Sequence, residues 1–357
     1  HPDATAEDLV TKLPGVVNDN GTIKAQGEKV KRVLVDGEEF FGDDASIALK
    51  NLPAEIIDKV EVFDRLSEQA RFTGFDDGNR DKTLNIVTKS GRNQGVFGRA
   101  AAGYGTEERY LGSLSLNWFK GTQRLSLLGQ SNNINQQNFS AQDLVGVSEG
   151  GGRRAASDLT VGARPGINTT HAIGVNYTNK FGKGSKLTGS YFFNRQHSAN
   201  TSLVDRTTYL SDTTAQYSTS TQDRSSVNDN HRLNFRLEHA FDSTNSIVVT
   251  PQLSFQRNTS SGLSGAGVEH DAGILLSRTS NENRTRRDGL TFTNGLLYRH
   301  RFALKGRTFS ANLTTSIADQ DSRGTLLADY WYATDTVATS RLDQRSNGGN
   351  LTQRHGL

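Results

Sequence analysis

The sequence predicts an all-β membrane fold in which a small N-terminal α/β domain precedes an antiparallel transmembrane β-barrel. Three observations lead to this prediction. Charge and hydropathy pattern both change near residue 92. Beyond that point, segments of about ten residues alternate apolar and polar side chains, and the connections between them are alternately short and long.

Composition excludes several other classes of protein. The chain has 357 residues, of which 41 are basic and 38 acidic, so it lacks the basic excess of a nucleic-acid-binding protein. It contains no cysteine, which excludes disulfides, thiol catalysis and cysteine-ligated metals. No run reaches the roughly 18 apolar residues of a membrane helix. The first residue is not methionine and no apolar leader is present, so we expect a processed or trimmed chain.

Charge divides the chain into two domains. Residues 1–92 carry 18 acidic and 13 basic residues, a net charge of −5, whereas residues 93–357 carry 20 acidic and 28 basic residues, a net charge of +8. Three of the five prolines also lie in the first segment. We therefore place an N-terminal domain at 1–92 and the first part of a barrel at 93–357.

The N-terminal domain is predicted to contain short helices and strands. The predicted helical segments are 7–13, 47–49 and 53–57, and the predicted strands are 31–36, 59–63 and 83–88. Pro53 suits the first turn of a helix, and Asn51 is a candidate cap for it. Such mixed elements predict a small α/β unit.

The second domain repeats one pattern. In residues 109–119, Leu114, Leu116 and Trp118 share one face while Ser113 and Ser115 lie on the other. The same alternation predicts strands at 96–105, 109–119, 124–132, 171–179, 187–196, 233–241, 247–256, 290–301 and 309–317, with a tenth from near residue 350. About nine or ten strands are thus expected.

A soluble β-sandwich would also alternate in this way. Two features favour a barrel in a bilayer: the segments are uniformly long, and their polar faces carry charged residues at mid-strand, as a wet lumen requires. The connections near 121–122, 182–184, 242–245 and 305–306 are short, and those near 133–169, 198–230, 259–288 and 321–349 are long. We therefore expect short periplasmic turns and long outer loops.

Two sets of barrel residues are candidates for defined positions. Aromatic residues beside the short turns are predicted to form a periplasmic girdle at the membrane interface: Trp118, Phe119, Phe181, Phe241 and Phe302. Charged residues on the polar faces are predicted to face the lumen: Arg99, Arg236, Glu238, Arg299 and Arg301. The second set would hydrogen-bond to the N-terminal domain, and a role in guiding substrate is the alternative.

No pattern points to catalysis, a metal or a cofactor. Asp43-Asp44 and Asp76-Asp77 lack the spacing of an EF-hand, and the eight histidines lack zinc-site spacing. No nucleophile is placed near His270-Asp271. The glycines at 150–152 precede two arginines rather than the lysine of a phosphate-binding loop. We therefore expect neither an enzyme nor a bound cofactor or metal.

Residues 1–92 resemble the plug domain of TonB-dependent outer-membrane receptors. The segments that carry the resemblance are 13–16 (LPGV), 21–30 (GTIKAQGEKV), 33–37 (VLVDG), 40–44 (FFGDD), 51–54 (NLPA), 59–63 (KVEVF) and 72–78 (FTGFDDG). In the second domain, 166–169 (GINT) and 174–177 (GVNY) are similar as well. The chain is thereby identified as similar to the group called outer-membrane β-barrel family proteins.

The resemblance implies a plug inside a barrel of about 22 strands in the Gram-negative outer membrane, reached from the periplasm. It implies ligand binding by outer loops and plug, and uptake energised by the inner-membrane TonB complex through a segment upstream of this chain. Lipid and the TonB complex are the expected partners, with a surface lipoprotein as a further candidate; nucleic acid is not expected. The alternative is a non-transporting structural or interaction subunit that retains a plug.

A turn in the N-terminal domain is the candidate gate of such a plug. It comprises Phe40, Phe41, Gly42, Asp43 and Asp44. The two phenylalanines would anchor the turn, and Gly42 would allow unusual backbone angles. The alternative is that this segment only packs the plug's own core. The sequence does not identify the transported substrate, and glycans, peptides and metal chelates are all compatible with it.

Overall fold

The computed structural model describes residues 4–19, 22–41, 45–50, 52–90, 94–136, 166–182, 184–211, 214–270, 273–304, 307–333 and 338–356. An N-terminal domain of short helices and small sheets is followed by one ten-stranded antiparallel sheet. The predicted fold class is confirmed, because the large sheet is consistent with part of a barrel. No helix in the described ranges is long and apolar enough to cross a membrane.

The N-terminal domain combines three short helices with two small sheets. Its elements are α1 (Ala6–Val10), β1 (Val16–Asp19), β2 (Thr22–Ala25), β3 (Glu28–Lys29), β4 (Arg32–Val35), β5 (Glu38–Glu39), α2 (Ala45–Lys50), a 3-10 turn (Ala54–Ile56), β6 (Ile57–Leu66), α3 (Glu68–Thr73) and β7 (Arg80–Thr88). Strands β1–β3 form one sheet, and a second has the order β5-β4-β7-β6 with β4 and β7 parallel. The predicted helices and strands are present, whereas α3, β1–β3 and β5 had no sequence prediction.

Local signals explain the helix ends. Helix α1 begins with a capping box, in which the side chain of Thr5 accepts from the Asp8 backbone and Asp8 accepts from the Thr5 backbone. Helix α3 is capped at its N-terminus by Ser67, whose hydroxyl accepts from the Ala70 backbone N–H. It ends at Gly74, whose φ of 78° places it in the left-handed conformation that glycine adopts without strain. These caps orient α3, which lies at the candidate site.

The core of the N-terminal domain extends into the large sheet. It contains alternating aliphatic residues of β2, β4 and β7, including Ile23, Val33 and Leu84, all at most 2% exposed. The same buried cluster includes Phe119, Leu128 and Phe192 of the large sheet. Because one apolar cluster spans both domains, burial of apolar surface holds them together.

The ten-stranded sheet follows the order of the chain. Its strands are β8 (Gln94–Tyr104), β9 (Tyr110–Lys120), β10 (Gln123–Asn132), β11 (Ile167–Phe181), β12 (Ser185–Ser211), β13 (Thr214–Ala240), β14 (Asn245–His270), β15 (Ile274–Arg301), β16 (Thr308–Tyr332) and β17 (Ala338–Gly356). Each strand pairs antiparallel with its neighbours in sequence, and β8 and β17 are the sheet edges. This agrees with the predicted up-and-down arrangement of about ten strands.

The two faces of this sheet differ in polarity. The inner face contacts the N-terminal domain, and the other is the outer face. Apolar side chains line up across successive strands of the outer face, because the register aligns them in one row: Leu116, Leu127, Val175, Tyr191, Leu233, Leu253, Phe292 and Ile317. The inner face at the adjacent level carries Ser126, Asn176 and Ser190, which are buried.

Three predicted outer loops are wrong, because strands occupy most of those residues. Strands β12 to β16 are 25 to 28 residues long and remain paired through 198–211, 214–230, 259–270, 274–288 and 321–332. These extensions are rich in Ser, Thr, Asn and Arg on both faces, so apolar alternation disappears there. Backbone pairing does not require apolar side chains, which explains why hydropathy missed the extensions. Within the fourth predicted loop, 133–169, residues 137–165 lie outside the described ranges.

Candidate functional site

The candidate site is the interface between the N-terminal domain and the inner face of the large sheet. Four groups of contacts form it: an aromatic contact at Phe41, and three sets of charged contacts at Asp36, Glu38 and Glu68. Strands β10 to β13 and β15 supply the partners. An acidic domain is therefore seated on basic side chains of the sheet.

The aromatic contact joins Phe41 to strand β11. Phe40 and Phe41 pack edge to face, with ring centroids 4.9 Å apart, and both are buried. A Cβ atom at Gly174 would lie 3.2 Å from Cε1 of Phe41 and 3.2 Å from Cδ2 of Phe192. The glycine thus leaves the space that the Phe41 ring approaches. Phe41 itself has a φ of 54°, a strained conformation for an aromatic residue.

Asp36 connects β4 to strand β10. Arg124 donates to the carbonyl of Val35 over 2.7 Å and to the Asp36 carboxylate over 3.1 Å. Asp36 also accepts from the backbone and hydroxyl of Thr88, over 2.7 and 2.9 Å. The guanidinium of Arg124 lies 4.9 Å from the ring centroid of Phe119. Stacking and three carboxylate contacts hold the Asp36 turn against the sheet.

Glu38 forms a second charged contact with strands β11 and β12. Its carboxylate lies 3.1 Å from Nζ of Lys180 and 2.5 Å from Nζ of Lys186. Burial raises the pKa of Glu38, but hydrogen bonds and attraction from Lys186 and Lys180 outweigh it and lower the pKa below the usual value. The carboxylate is therefore ionised at neutral pH and binds both lysines.

Glu68 at the start of α3 meets four arginines. Its carboxylate lies 3.1 Å from Arg65, 3.3 Å from Arg71, 3.1 Å from Arg236 and 4.0 Å from Arg299. Burial raises the pKa of Glu68, but attraction from these arginines, led by Arg236, lowers it overall. Two of the arginines belong to the N-terminal domain and two to the sheet, so this carboxylate joins the two domains.

Phe72 strengthens the same contact from the next turn of α3. The guanidinium groups of Arg299 and Arg301 lie 5.3 and 5.6 Å from its ring centroid. Both distances suit cation–π attraction. Helix α3 therefore presents a carboxylate and an aromatic ring to three arginines of the sheet.

A cavity of about 380 Å³, lined by polar and apolar side chains, lies beside Glu68 and Arg236. Arg32, Glu39 and Glu68 line it from the N-terminal domain, and Ser190, Asn234 and Thr314 line it from the sheet. Its walls offer both hydrogen-bond donors and acceptors. The cavity suits water or a small hydrophilic molecule.

The five residues predicted to face the lumen lie on the inner face. Arg236 contacts Glu68, and Glu238 lies 2.8 Å from Arg236 and 4.0 Å from Lys186. Arg299 and Arg301 flank Phe72, as described above. Arg99 pairs in register with Ser115, which is on the inner face, and its charge helps to lower the pKa of Asp8 after the larger effect of the Thr5 hydrogen bond.

The candidate gate is described only in part. Phe40 and Phe41 are buried within the apolar cluster that spans both domains. Gly42, Asp43 and Asp44 lie outside the described residues. The unusual backbone angle predicted for Gly42 therefore stays a prediction, and the preceding residue, Phe41, has a φ of 54°. Phe41 both packs the core of the N-terminal domain and touches the sheet.

Four of the five predicted girdle aromatics lie on the outer face. Trp118, Phe181, Phe241 and Phe302 are 36%, 48%, 61% and 42% exposed and lie at strand ends beside short turns. The prediction for Phe119 is wrong: it is 1% exposed and packs edge to face on Phe97, with ring centroids 4.9 Å apart. Trp118 and Phe119 are adjacent on a strand, so only one of them can lie on the outer face.

Several site residues had no sequence prediction as a site. Glu68, Glu38, Arg124, Lys180 and Lys186 carry most of the charged contacts. Alternation along its strand predicts that Arg124 lies on the polar face, opposite to Leu125 and Leu127, but it does not predict the contact with Asp36. Nothing in the sequence distinguishes Glu68 from the other acidic residues of its domain. In the described ranges, no group of three or more His, Asp or Glu side chains could hold a metal ion.

Comparisons with known proteins find solved structures only. No protein-family model matches the chain, and no curated protein does. The chain is similar to the siderophore receptor PiuA from Acinetobacter baumannii, with 11% identity and a TM-score of 0.30, over 98% of this chain and 59% of that one. It is also similar to the ferric yersiniabactin uptake receptor FyuA from Yersinia pestis, with 10% identity and a TM-score of 0.26, over 98% of this chain and 58% of that one.

A third similar structure is the copper transporter OprC, with 12% identity and a TM-score of 0.27, over 100% of this chain and 76% of that one. The chain spans less than two thirds of the length of PiuA and FyuA.

Proposed function

We propose that the chain is the plug and first part of the barrel of a TonB-dependent outer-membrane receptor. In this proposal, outer loops and plug bind a ligand, and rearrangement of the plug opens a passage. The observation that supports it most is the seating of the N-terminal domain on the inner face through Asp36, Glu38, Glu68 and Phe41. A folded domain held on the polar face of a long-stranded sheet is suited to closing a pore.

The outer face supports a location in the outer membrane. Its apolar rows match the lipid-facing band of a transmembrane barrel, while the inner face is polar. The aromatic residues beside the short turns suit the periplasmic interface. The plug would then be reached from the periplasm.

The charged contacts suit a plug that moves. When such a pair separates and both partners become exposed, water replaces the lost hydrogen bonds. Glu38 and Glu68 each bind basic residues of the sheet, so a pull on the N-terminal domain would exchange these contacts for water. The TonB complex would supply that pull through a segment upstream of this chain. The proposal includes no enzymatic step.

Thiol labelling tests this proposal, since these 357 residues contain no cysteine. Ala70→Cys, at a position on α3 that is 1% exposed, is expressed in Gram-negative cells with and without the TonB complex, and labelling by a maleimide is followed over time. We expect faster labelling in cells that contain the complex, because α3 moves away from Arg236, Arg299 and Arg301 of the sheet when the plug moves. Thr244→Cys, in the exposed turn between β13 and β14, should label at the same rate in both.

The alternative function is a non-transporting outer-membrane subunit with a retained plug. Equal labelling of Ala70→Cys with and without the TonB complex would favour this alternative and count against energised uptake. Co-purification of a surface lipoprotein with the protein would identify the partner of such a subunit. The transported substrate, under the leading proposal, is a glycan, a peptide or a metal chelate.

A further inference from the structure

Amide side chains form a band on the inner face, next to the contact between the N-terminal domain and strand β11. Phe41 approaches Gly174 and Phe192, which are cross-strand partners in one row of the register. The next two rows on this face, further from the short turns, contain two amide side chains on each of β10, β12, β13 and β14. We call these residues the amide band: Gln130, Asn132, Asn194, Gln196, Asn228, Asn230, Gln256 and Asn258.

From the level of this band outward, β12 to β14 carry amides and carboxylates on opposite faces. Every Asn and Gln of residues 194–211, 214–230 and 256–270 lies on the inner face. Every acidic residue of the same ranges lies on the outer face: Asp205, Asp223, Asp229 and Glu269. The arginines of the inner face are spread out, since Arg206 and Arg224 lie beyond the band and Arg287 lies at its edge on β15. The band itself is therefore an uncharged surface of donors and acceptors.

Several amide atoms of the band are buried without a partner in the part of the chain that the structure describes. Asn194 is 0% exposed, and neither its Oδ1 nor its Nδ2 has a hydrogen-bond partner there. Nε2 of Gln256 donates to Oδ1 of Asn228 over 2.8 Å, whereas Oε1 of Gln256 and Nδ2 of Asn228 are also without a described partner. Buried polar groups are normally paired, so these atoms are available to a polar ligand.

At its β10 end, the band already binds an uncharged oxygen. Nδ2 of Asn132 donates to the backbone carbonyl of Gln136 over 2.9 Å, and Nε2 of Gln130 donates to the same oxygen over 3.4 Å. A carboxamide presents a donor and an acceptor side by side, and each hydroxyl group of a ligand is likewise both donor and acceptor. The band therefore matches a neutral ligand that carries many hydroxyl groups.

We propose that the amide band binds a neutral oligosaccharide beside the candidate gate. This inference rests on the proposed receptor function and names its substrate class. A peptide with free termini would need a carboxylate for its ammonium group, and residues 194–211, 214–230 and 256–270 place none on the inner face. An anionic metal chelate would favour clustered arginines or lysines, which the band does not contain. A sugar held by the band would lie next to Phe41, on the segment assigned to the gate.

Calorimetric titration of the full-length protein in detergent tests the proposal. The probes are neutral hexasaccharides of glucose, mannose and xylose, compared with a hexauronate, a hexapeptide and ferric citrate. We expect at least one neutral hexasaccharide to bind, and to bind more tightly than the other three probes. Asn194→Leu/Gln256→Met keeps the approximate size of both side chains but removes their polar atoms, so it should weaken this binding about tenfold.

The matched control is Asn347→Leu/Gln353→Met, which makes the same replacements on the outer face of β17 and should leave binding unchanged. Should the double variant of the band fail to fold, Asn194→Leu alone is used, because it removes no hydrogen bond between described residues. Absence of binding by all the neutral hexasaccharides, tighter binding of the hexauronate, the hexapeptide or ferric citrate, or equal weakening in band and control variants would overturn the proposal. The receptor function would still stand, since labelling of Ala70→Cys tests it separately.

Discussion

At the scale of the residue, Glu68 is the side chain on which most charged contacts between the domains converge. Four guanidinium groups within 4.0 Å surround one carboxylate. Each of these arginines carries a positive charge that would repel the others if the carboxylate were neutral. Glu68 therefore holds α3 to the sheet and allows Arg65, Arg71, Arg236 and Arg299 to lie close together.

Replacing Glu68 tests this role. We expect Glu68→Gln to lower the free energy of unfolding of the N-terminal domain by about 1–3 kcal/mol, because partly buried charges lose their partner. Urea denaturation followed by hydrogen exchange of α3 measures the loss. Asp76→Asn is the control, since Asp76 is exposed and pairs with Arg80 of its own domain. An equal effect of the two substitutions would contradict the role assigned to Glu68.

The same carboxylates predict the dependence of seating on pH. The pKa values of Glu38 and Glu68 are below the ordinary value of 4.5, so both side chains stabilise the seated state above that pH. This contribution declines as the pH falls through their lowered pKa values, because the folded state must then take up protons. We expect resistance of the N-terminal domain to proteolysis by pepsin to fall on acidification below about pH 4.5.

The matched comparison for this pH effect is Glu38→Gln/Glu68→Gln. Its resistance to pepsin should be lower at the start of the titration and should change less with pH. A parent and a variant with parallel pH profiles would show that other groups govern acid release.

At the scale of the element, strand β11 is shaped to receive the N-terminal domain. A Cβ atom at Gly174 would lie only 3.2 Å from the ring of Phe41. Gly129 on the adjacent strand β10 has open space where its Cβ atom would be. A side chain at Gly174 would therefore crowd its neighbours, whereas a side chain at Gly129 would not.

This difference predicts the effect of adding a side chain. Gly174→Val should destabilise the seated N-terminal domain by about 1–3 kcal/mol, because the added methyl groups overlap Phe41 and Phe192. Gly129→Val, which gives the same residue on a neighbouring strand, should have a smaller effect. Urea denaturation of both variants makes the comparison, and equal losses would exclude a special role for the Phe41 contact.

The apolar rows of the outer face yield a prediction for strand β14. Leu253→Arg should destabilise the protein folded in a bilayer by about 2–4 kcal/mol, because a charge near the middle of the apolar band must be buried in lipid. Asn312→Arg, which adds the same side chain beside the cavity on β16, should be better tolerated. Folding into lipid vesicles at increasing urea measures both, and equal folding of parent and Leu253→Arg would contradict a lipid-facing row.

At the scale of the whole molecule, charge and shape act together. The N-terminal segment has a net charge of −5 and the remainder of the chain +8. The structure converts this overall difference into local contacts at Asp36, Glu38 and Glu68. Long-range attraction can guide the domain to the inner face, whereas the apolar cluster around Phe41 and Phe119 stabilises the seated position.

The sequence by itself determined the fold class and the face of most strand residues. Alternation has a period of two in every strand, so Leu114, Leu253 and Arg236 could each be assigned to a face without a structure. The same rule would have moved Phe119 inward, next to the outward Trp118. Where both faces are polar, as in the outer halves of β12 to β16, the alternation disappears and strand lengths could not be read.

Only the tertiary structure decided which residues meet. Glu68 and Arg236 are far apart in the chain, and each is one of many charged residues with similar neighbours. Their contact depends on how α3 is oriented by its caps and on the register of β13 with its neighbours, both of which are set by packing and backbone hydrogen bonds. Local sequence patterns report periodicity, whereas a contact between distant residues depends on the geometry of the assembled sheet.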